Sequence, residues 1–160
     1  MKSTFLNGLL VMTSLTLMSS MCSSDEMDNP NNNSQQIMLI ENTAESGTWI
    51  ISSYIDSGQD ETNDFSGYNF TFGNDGSLMA TNGTNTVSGT WSVTDSSNSN
   101  DDSNSIEDID FNISFSVPTT SVFYELIDDW EIVTYNNNTI SLIDISGGNG
   151  GTDTLVFTKN

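Results

Sequence analysis

The stretch from Asp108 to Val117 most constrains the fold. Ile109, Phe111, Ile113, Phe115 and Val117 alternate with Asp110, Asn112, Ser114 and Ser116. A period of two places all five apolar side chains on one face of an extended strand and the polar ones on the other. A helix would scatter them around its circumference. A strand with one apolar and one polar face belongs in an antiparallel sheet that packs one side on a core and wets the other. Pro118 then ends the run, because proline cannot donate to a ladder.

Shorter runs repeat the pattern. Gly47 to Asp56 is rich in Trp, Ile and Tyr and stops at Ser57-Gly58. Tyr68, Phe70 and Phe72 alternate with Asn69, Thr71 and Gly73. Asn74-Asp75-Gly76 and Asn82-Gly83 are hairpin turns, since these residues accept the positive φ that tight turns require. They bracket a strand over 76–82 and lead into another from Thr86 to Thr94. Trp130 to Tyr135, Thr139 to Ser146 and Thr152 to Lys159 complete the set, joined by Asn136-Asn137-Asn138 and a glycine loop over 147–151. Phe123 to Asp129 is compatible with one helical turn, and Asp95 to Ser105 is a solvated acidic loop. Ile37 to Ser46 is a short helix or an extended arm. Ser, Thr and Asn supply 64 of the 160 residues, a bias that suits turns and wet strand faces over helix interiors. Eight strands at hairpin spacing predict an all-β fold. We expect an eight-stranded antiparallel up-and-down barrel behind a short N-terminal helix, with a β-sandwich as the alternative.

Composition removes several chemistries. The chain has no histidine, its only basic residues are Lys2 and Lys159, and Cys22 is its single cysteine. Ser-His-Asp and Cys-His systems are therefore excluded, as are metal sites built on imidazole. No arginine fork is present to grip a phosphate. All 22 carboxylates lie after Cys22, so the chain beyond residue 21 carries a side-chain charge of −21. Such a surface repels nucleic acid and anionic headgroups and favours basic or neutral partners.

Residues 1–21 have the form of a processing segment: Lys2, then an apolar region from Phe5 to Met18 that is too short to span a bilayer. Leu17-Met18-Ser19-Ser20-Met21 in front of Cys22 resembles the lipobox of bacterial lipoproteins, although methionine precedes the cysteine where alanine or glycine is commoner. The resemblance implies cleavage before Cys22 and acylation of its thiol. Ser23, Ser24, Asp25 and Glu26 resemble the acidic signal that sends lipoproteins of the Bacteroidota to the exterior of the outer membrane. The remaining residues of 22–36 are polar and aperiodic and are expected to form a flexible tether, leaving 37–160 as the folded domain. Membrane contact is then through the lipid alone.

Gly47-Thr48-Trp49 opens the first strand behind the helix and resembles the Gly-x-Trp signature of lipocalins. Phe65 to Phe72, Ser88-Gly89-Thr90-Trp91, Asp110-Phe111-Asn112 and the loop from Gly147 to Asp153 extend the likeness to lipocalin-like lipoproteins of the Bacteroidota over residues 37–160. That family implies a ligand-binding barrel and no particular ligand. Lipocalins stack an arginine on the tryptophan; this chain has none, which implies different packing at the base.

No catalytic, cofactor or metal residue emerges. The acids Asp95, Asp101, Asp102, Glu107 and Asp108 lack the spacing of a calcium loop, and the segment from Gly147 to Leu155 is a single glycine loop without a repeat. Asp153-Thr154-Leu155 matches a short O-glycosylation pattern, but it lies within an expected strand. Trp49, Trp91 and Trp130 are read as core, since large aromatics dominate small cores. A carboxylate-pair glycosidase is the least favoured reading, because among 22 acids some pair always lies at catalytic separation. The leading expectation is a monomeric, non-enzymatic lipoprotein, anchored in the outer membrane and facing outward, that holds a small apolar or neutral ligand in its barrel. The alternative is an interaction lipoprotein with a packed core and an acidic docking surface.

Overall fold

The alternating runs pair in sequence order, and the last strand returns to the first. The computed structural model of the chain describes residues 32–96, 109–145 and 151–160. A helix, α1 (Asn32–Glu45), precedes β1 (Thr48–Asp56), a two-residue strand β2 (Gln59–Asp60), β3 (Asn69–Phe72), β4 (Ser77–Thr81) and β5 (Thr86–Asp95). Then come β6 (Ile109–Phe115), β7 (Asp128–Asn136), β8 (Thr139–Ile145) and β9 (Thr152–Lys159). Each neighbouring pair is antiparallel, and β1 also pairs with β9 from Trp49↔Lys159 to Ile55↔Thr154. The result is a closed eight-stranded up-and-down barrel in which β2 only extends the β1 hairpin, and closure excludes the sandwich.

Strand alternation determines what fills the barrel. On β6, Ile109, Phe111, Ile113 and Phe115 are all buried, as the period-2 pattern requires. Phe72, at the basal end of β3, has ring centroids 5.2 Å from Trp91 and 5.4 Å from both Phe111 and Phe157. These are edge-to-face contacts, the arrangement that aromatic quadrupoles favour. Phe70 meets Phe157 at 5.4 Å. All three tryptophans are core residues, and each indole N–H has a backbone acceptor: Trp49 to Ala44 O at 2.8 Å, Trp91 to Gly73 O at 2.9 Å and Trp130 to Leu126 O at 3.1 Å.

Strand direction defines two ends. The base holds the start of β1, the β3–β4 and β7–β8 turns and the C-terminus; the mouth holds the β1–β2, β4–β5 and β6–β7 connections. Helix α1 closes the base with a stripe of Asn33, Ile37, Ile40 and Ala44, of which Ile40 and Ala44 are fully buried. It begins at Asn32, so the polar run expected to be tether through Gln36 forms the first turns of the helix instead. The physical reason is burial: Asn33 is tucked beneath the barrel and its Nδ2 donates to Asp95 Oδ1 at 3.3 Å. Composition alone marks these residues as tether, whereas a helix needs only one buried stripe.

Lys159 supplies the basal cation that the absence of arginine had seemed to remove. Its ammonium lies 5.5 Å from the centroid of Trp49 and donates to Ser46 Oγ at 2.8 Å. One side chain thereby ties the C-terminal strand to the helix–strand junction. At the adjacent turn, Gly76 adopts φ +78° and its carbonyl accepts from Trp91 N at 2.9 Å.

This packing makes two positions sensitive to substitution. A Cβ at Gly89 would collide with the Ser114 carbonyl and the Phe115 ring. Gly89→Ala should therefore lose about 1–3 kcal/mol, read as a lower urea midpoint, as for other overpacked sites. Lys159→Met keeps the stem and removes the charge, so it should cost about 0.5–1 kcal/mol in the same measurement.

Candidate functional site

The mouth is plugged by two short 3-10 turns. Thr62–Phe65 and Val122–Tyr124 insert Phe65 and Phe123 into the barrel end, where both are buried. Phe123 is the hub, with centroids 5.0 Å from Tyr68, 5.2 Å from Phe115 and 5.6 Å from Phe65. Ser121 caps the second turn by accepting from Phe123 N at 3.3 Å. The barrel lumen, which the leading expectation reserved for a ligand, thus holds a series of aromatic rings from Phe72 near the base through Phe157 and Phe70 to Phe123 at the mouth.

Around this plug the inner-face register of several strands ends in carboxylates. Asp128 continues the register of Trp130 and Ile132, Asp144 that of Ile140 and Leu142, and Asp153 that of Leu155 and Phe157. Asp144 and Asp153 are directly opposite each other in the β8–β9 ladder. Like charges so placed oppose folding. Asp153 also holds a turn in place, since its Oδ1 accepts from Ser57 N at 2.7 Å and steadies a non-glycine residue at φ +47°. Tyr54, beneath the rim, donates from its hydroxyl to Glu125 O at 3.2 Å. Burial first, and then Asp56 and Glu125, push its pKa well above that of a free phenol. Glu125 is itself raised by burial and by the Glu61 charge beside it.

Beside the rim the wall carries a groove of about 340 Å³. Its origin is a ladder that stops early. Strand β6 pairs with β5 as far as Gly89↔Phe115, but with β7 only as far as Ile113↔Asp128. The end of β6 is therefore open on its β7 side, where the chain is occupied with the plug. The floor is the outer face of β5 and β6: Thr90 opposite Ser114, and Ser92 opposite Asn112. Asn112 holds its place by donating to Thr94 Oγ1 at 2.9 Å. Ile127, Asp128 and Asp129 form the far wall, and Trp91 and Ile113 also border the space.

The carboxylates here are crowded. Asp128 is raised to about 6, chiefly by burial and next by the hydrogen bond it shares with the Asp129 side chain, with Asp144 and Asp129 adding repulsion. Its Oδ1 also accepts from Asp129 N at 2.9 Å, which opposes the shift. Asp110, opposite Glu131 in the ladder, is raised by burial as well, against a hydrogen bond from Ser96. The described residues contain no group of three or more His, Cys, Asp or Glu side chains able to hold a metal ion.

The sites anticipated from sequence separate into two sets. Gly47, Thr48 and Trp49 lie at the base, joined by Lys159, which only the register of β9 brings there. Thr154 is half-buried on the outward register of β9, between Ile55 and Ile143. Cys22 and Ser23, Ser24, Asp25 and Glu26 lie outside the described residues, as do Asp101, Asp102, Glu107, Asp108 and the loop over 147–150. The plug residues Phe65 and Phe123 and the groove at Asp128 were not anticipated. Phe65 and Phe123 sit between strand runs without any alternation, and the groove depends on where a ladder ends.

A raised carboxylate makes stability fall with pH. Protonated Asp128 favours the fold, so its contribution is complete below the free aspartate pKa near 4 and is lost as pH rises through about 6. Asp128→Asn should raise Tm at pH 7.5 by about 2–4 °C. It should also flatten the fall in Tm between pH 4 and 7 in scanning calorimetry.

Among known proteins, no family model matches the chain, and no curated protein matches it. A solved structure is similar: the 1.00 Å crystal structure of a DUF4847 family protein from Bacteroides vulgatus ATCC 8482. It shares 20% identity and a TM-score of 0.50, over 76% of this chain and 97% of that one. The likeness extends to the barrel fold.

Proposed function

We propose that this chain is a Bacteroidota lipoprotein, acylated on Cys22 and carried to the outer face of the outer membrane by Ser23, Ser24, Asp25 and Glu26. There its lipocalin-like barrel serves as a packed, monomeric scaffold, and the acidic wall and mouth make the contacts with a basic or neutral envelope partner. The role is non-catalytic, and nucleic acid is not a partner. The observation that carries this reading over a ligand carrier is the aromatic filling of the lumen, which runs from Phe72 near the base to Phe123 at the mouth. A small apolar ligand would have to displace rings already in favourable edge-to-face contact. The carboxylates support the assignment of the working surface. Asp110 faces Glu131 and Asp144 faces Asp153, placements that work against folding and are consistent with use by a partner. The lipocalin-like assignment rests on Gly47-Thr48-Trp49 at the start of β1, with Lys159 stacked where that family has arginine.

Native mass spectrometry of the acylated protein, purified from its own envelope, tests the reading. The expected spectrum is the polypeptide plus its lipid anchor. A further stoichiometric mass that survives high salt and leaves only on unfolding would place a ligand in the lumen and overturn it.

A further inference from the structure

The groove beside the mouth has features that a general acidic wall does not explain. It is a defined concavity of about 340 Å³, within the volume range of small-molecule sites. Its surfaces are chemically divided. Ile127 offers aliphatic area, Thr90, Ser92 and Ser114 offer hydroxyls, and the far wall ends in two adjacent carboxylates. Lys159 is the only basic side chain among the described residues and lies at the opposite end, against Trp49. The charges around the groove are of one sign. Asp128 faces Asp129 on its own strand and Asp144 across on β8, while Asp110 and Glu131 continue along the outer wall. Two adjacent carboxylates beside an aliphatic surface complement a ligand with a positive head and a carbon stem.

We propose that this groove binds a small organic ammonium ion, its head against Asp128 and Asp129 and its stem along Ile127. The site rests on the reading that the lumen is packed and the outer wall is the working surface. Binding is coupled to a proton. Near pH 6 Asp128 is about half protonated, and a cation at its oxygens favours the ionised form. The ligand therefore expels a proton near pH 6 and none near pH 8.

The probe is hexylammonium, titrated calorimetrically into the full-length acylated chain in neutral detergent at moderate salt. Repeating the titration in buffers of different ionisation enthalpy counts the protons. One-to-one binding is expected, with proton release near pH 6 that vanishes near pH 8. Asp128→Asn should abolish the release and weaken binding by roughly tenfold. Ser114→Trp, which fills the groove and leaves both carboxylates in place, should abolish binding while the circular dichroism spectrum is unchanged.

Three results would overturn the proposal. One is the absence of saturable binding. Another is binding that ignores both substitutions and disappears with added salt, the behaviour of a diffuse counterion atmosphere. The third is saturation by a lysine-rich peptide but not by hexylammonium, which would make the groove part of a protein-docking face. Each leaves the packed-lumen reading standing if the native mass is bare, whereas a lumenal ligand in the mass spectrum would overturn that reading independently.

Discussion

The β1–β9 ladder is the contact on which the rest of the molecule depends. It joins the two ends of the sheet through six register pairs, with a bulge between Ile51 and Ser53 that lets β1 turn with the barrel. Without it, β1 and β9 would be edges, each exposing unpaired amides and carbonyls to other chains. Closure also fixes the inside. Once the ladder is set, Trp49, Tyr54, Leu155 and Phe157 must face the same lumen as Phe72 and Phe111, and their rings fill it. The seam on the other side of β1 is weaker, because β3 pairs only with Thr48 and Trp49. Beyond that point the β2 hairpin and the Phe65 turn take over.

A chain with 22 carboxylates and two lysines cannot fold by pairing charges. It separates them instead. Carboxylates sit on outward registers, as at Asp110, Asp129 and Glu131, or beyond the last buried ring, as at Asp128, Asp144 and Asp153. The repulsion is kept where water screens it, and the dry interior holds aromatic and aliphatic groups. Where burial removes water from a carboxylate, and neighbouring acids add their repulsion, the proton is held more tightly, which is why Asp128 and Glu125 are displaced upward. The single described cation is committed to the base.

Much of the barrel was legible because its signals are local. The alternation from Ile109 to Phe115 states which side chains are buried without reference to the rest of the chain. Asn74-Asp75-Gly76 and Ser57-Gly58 mark reversals through backbone chemistry, and the described strands depart from the expected bounds by only one or two residues at most ends. What was hidden depends on pairing at a distance. Nothing near Lys159 announces Trp49, which lies more than a hundred residues earlier. Asn33 and Gln36 have polar side chains that suggest a tether until a barrel base exists for one face of α1 to cover. Phe65 and Phe123 belong to no periodic run, so their role as plugs follows from where β1–β3 and β6–β7 leave space. The groove is the extreme case, since it records the absence of β7 residues opposite Ser114 and Phe115, and an early ladder end has no residue of its own.

The arrangement at the base also gives the molecule a handle and a front. Asn160 N donates to Thr48 O at 2.9 Å, so the C-terminus is bonded to the strand that begins beside the end of α1. Both ends of the described chain therefore emerge at the same pole. Any attachment made through the segment before Asn32 grips that pole and aims the plugged, carboxylate-rimmed opposite pole at whatever lies ahead. A label or fusion joined after Asn160 would share the gripped side and leave the forward pole uncovered, whereas one spliced into the Ser57-Gly58 turn would stand directly in its path.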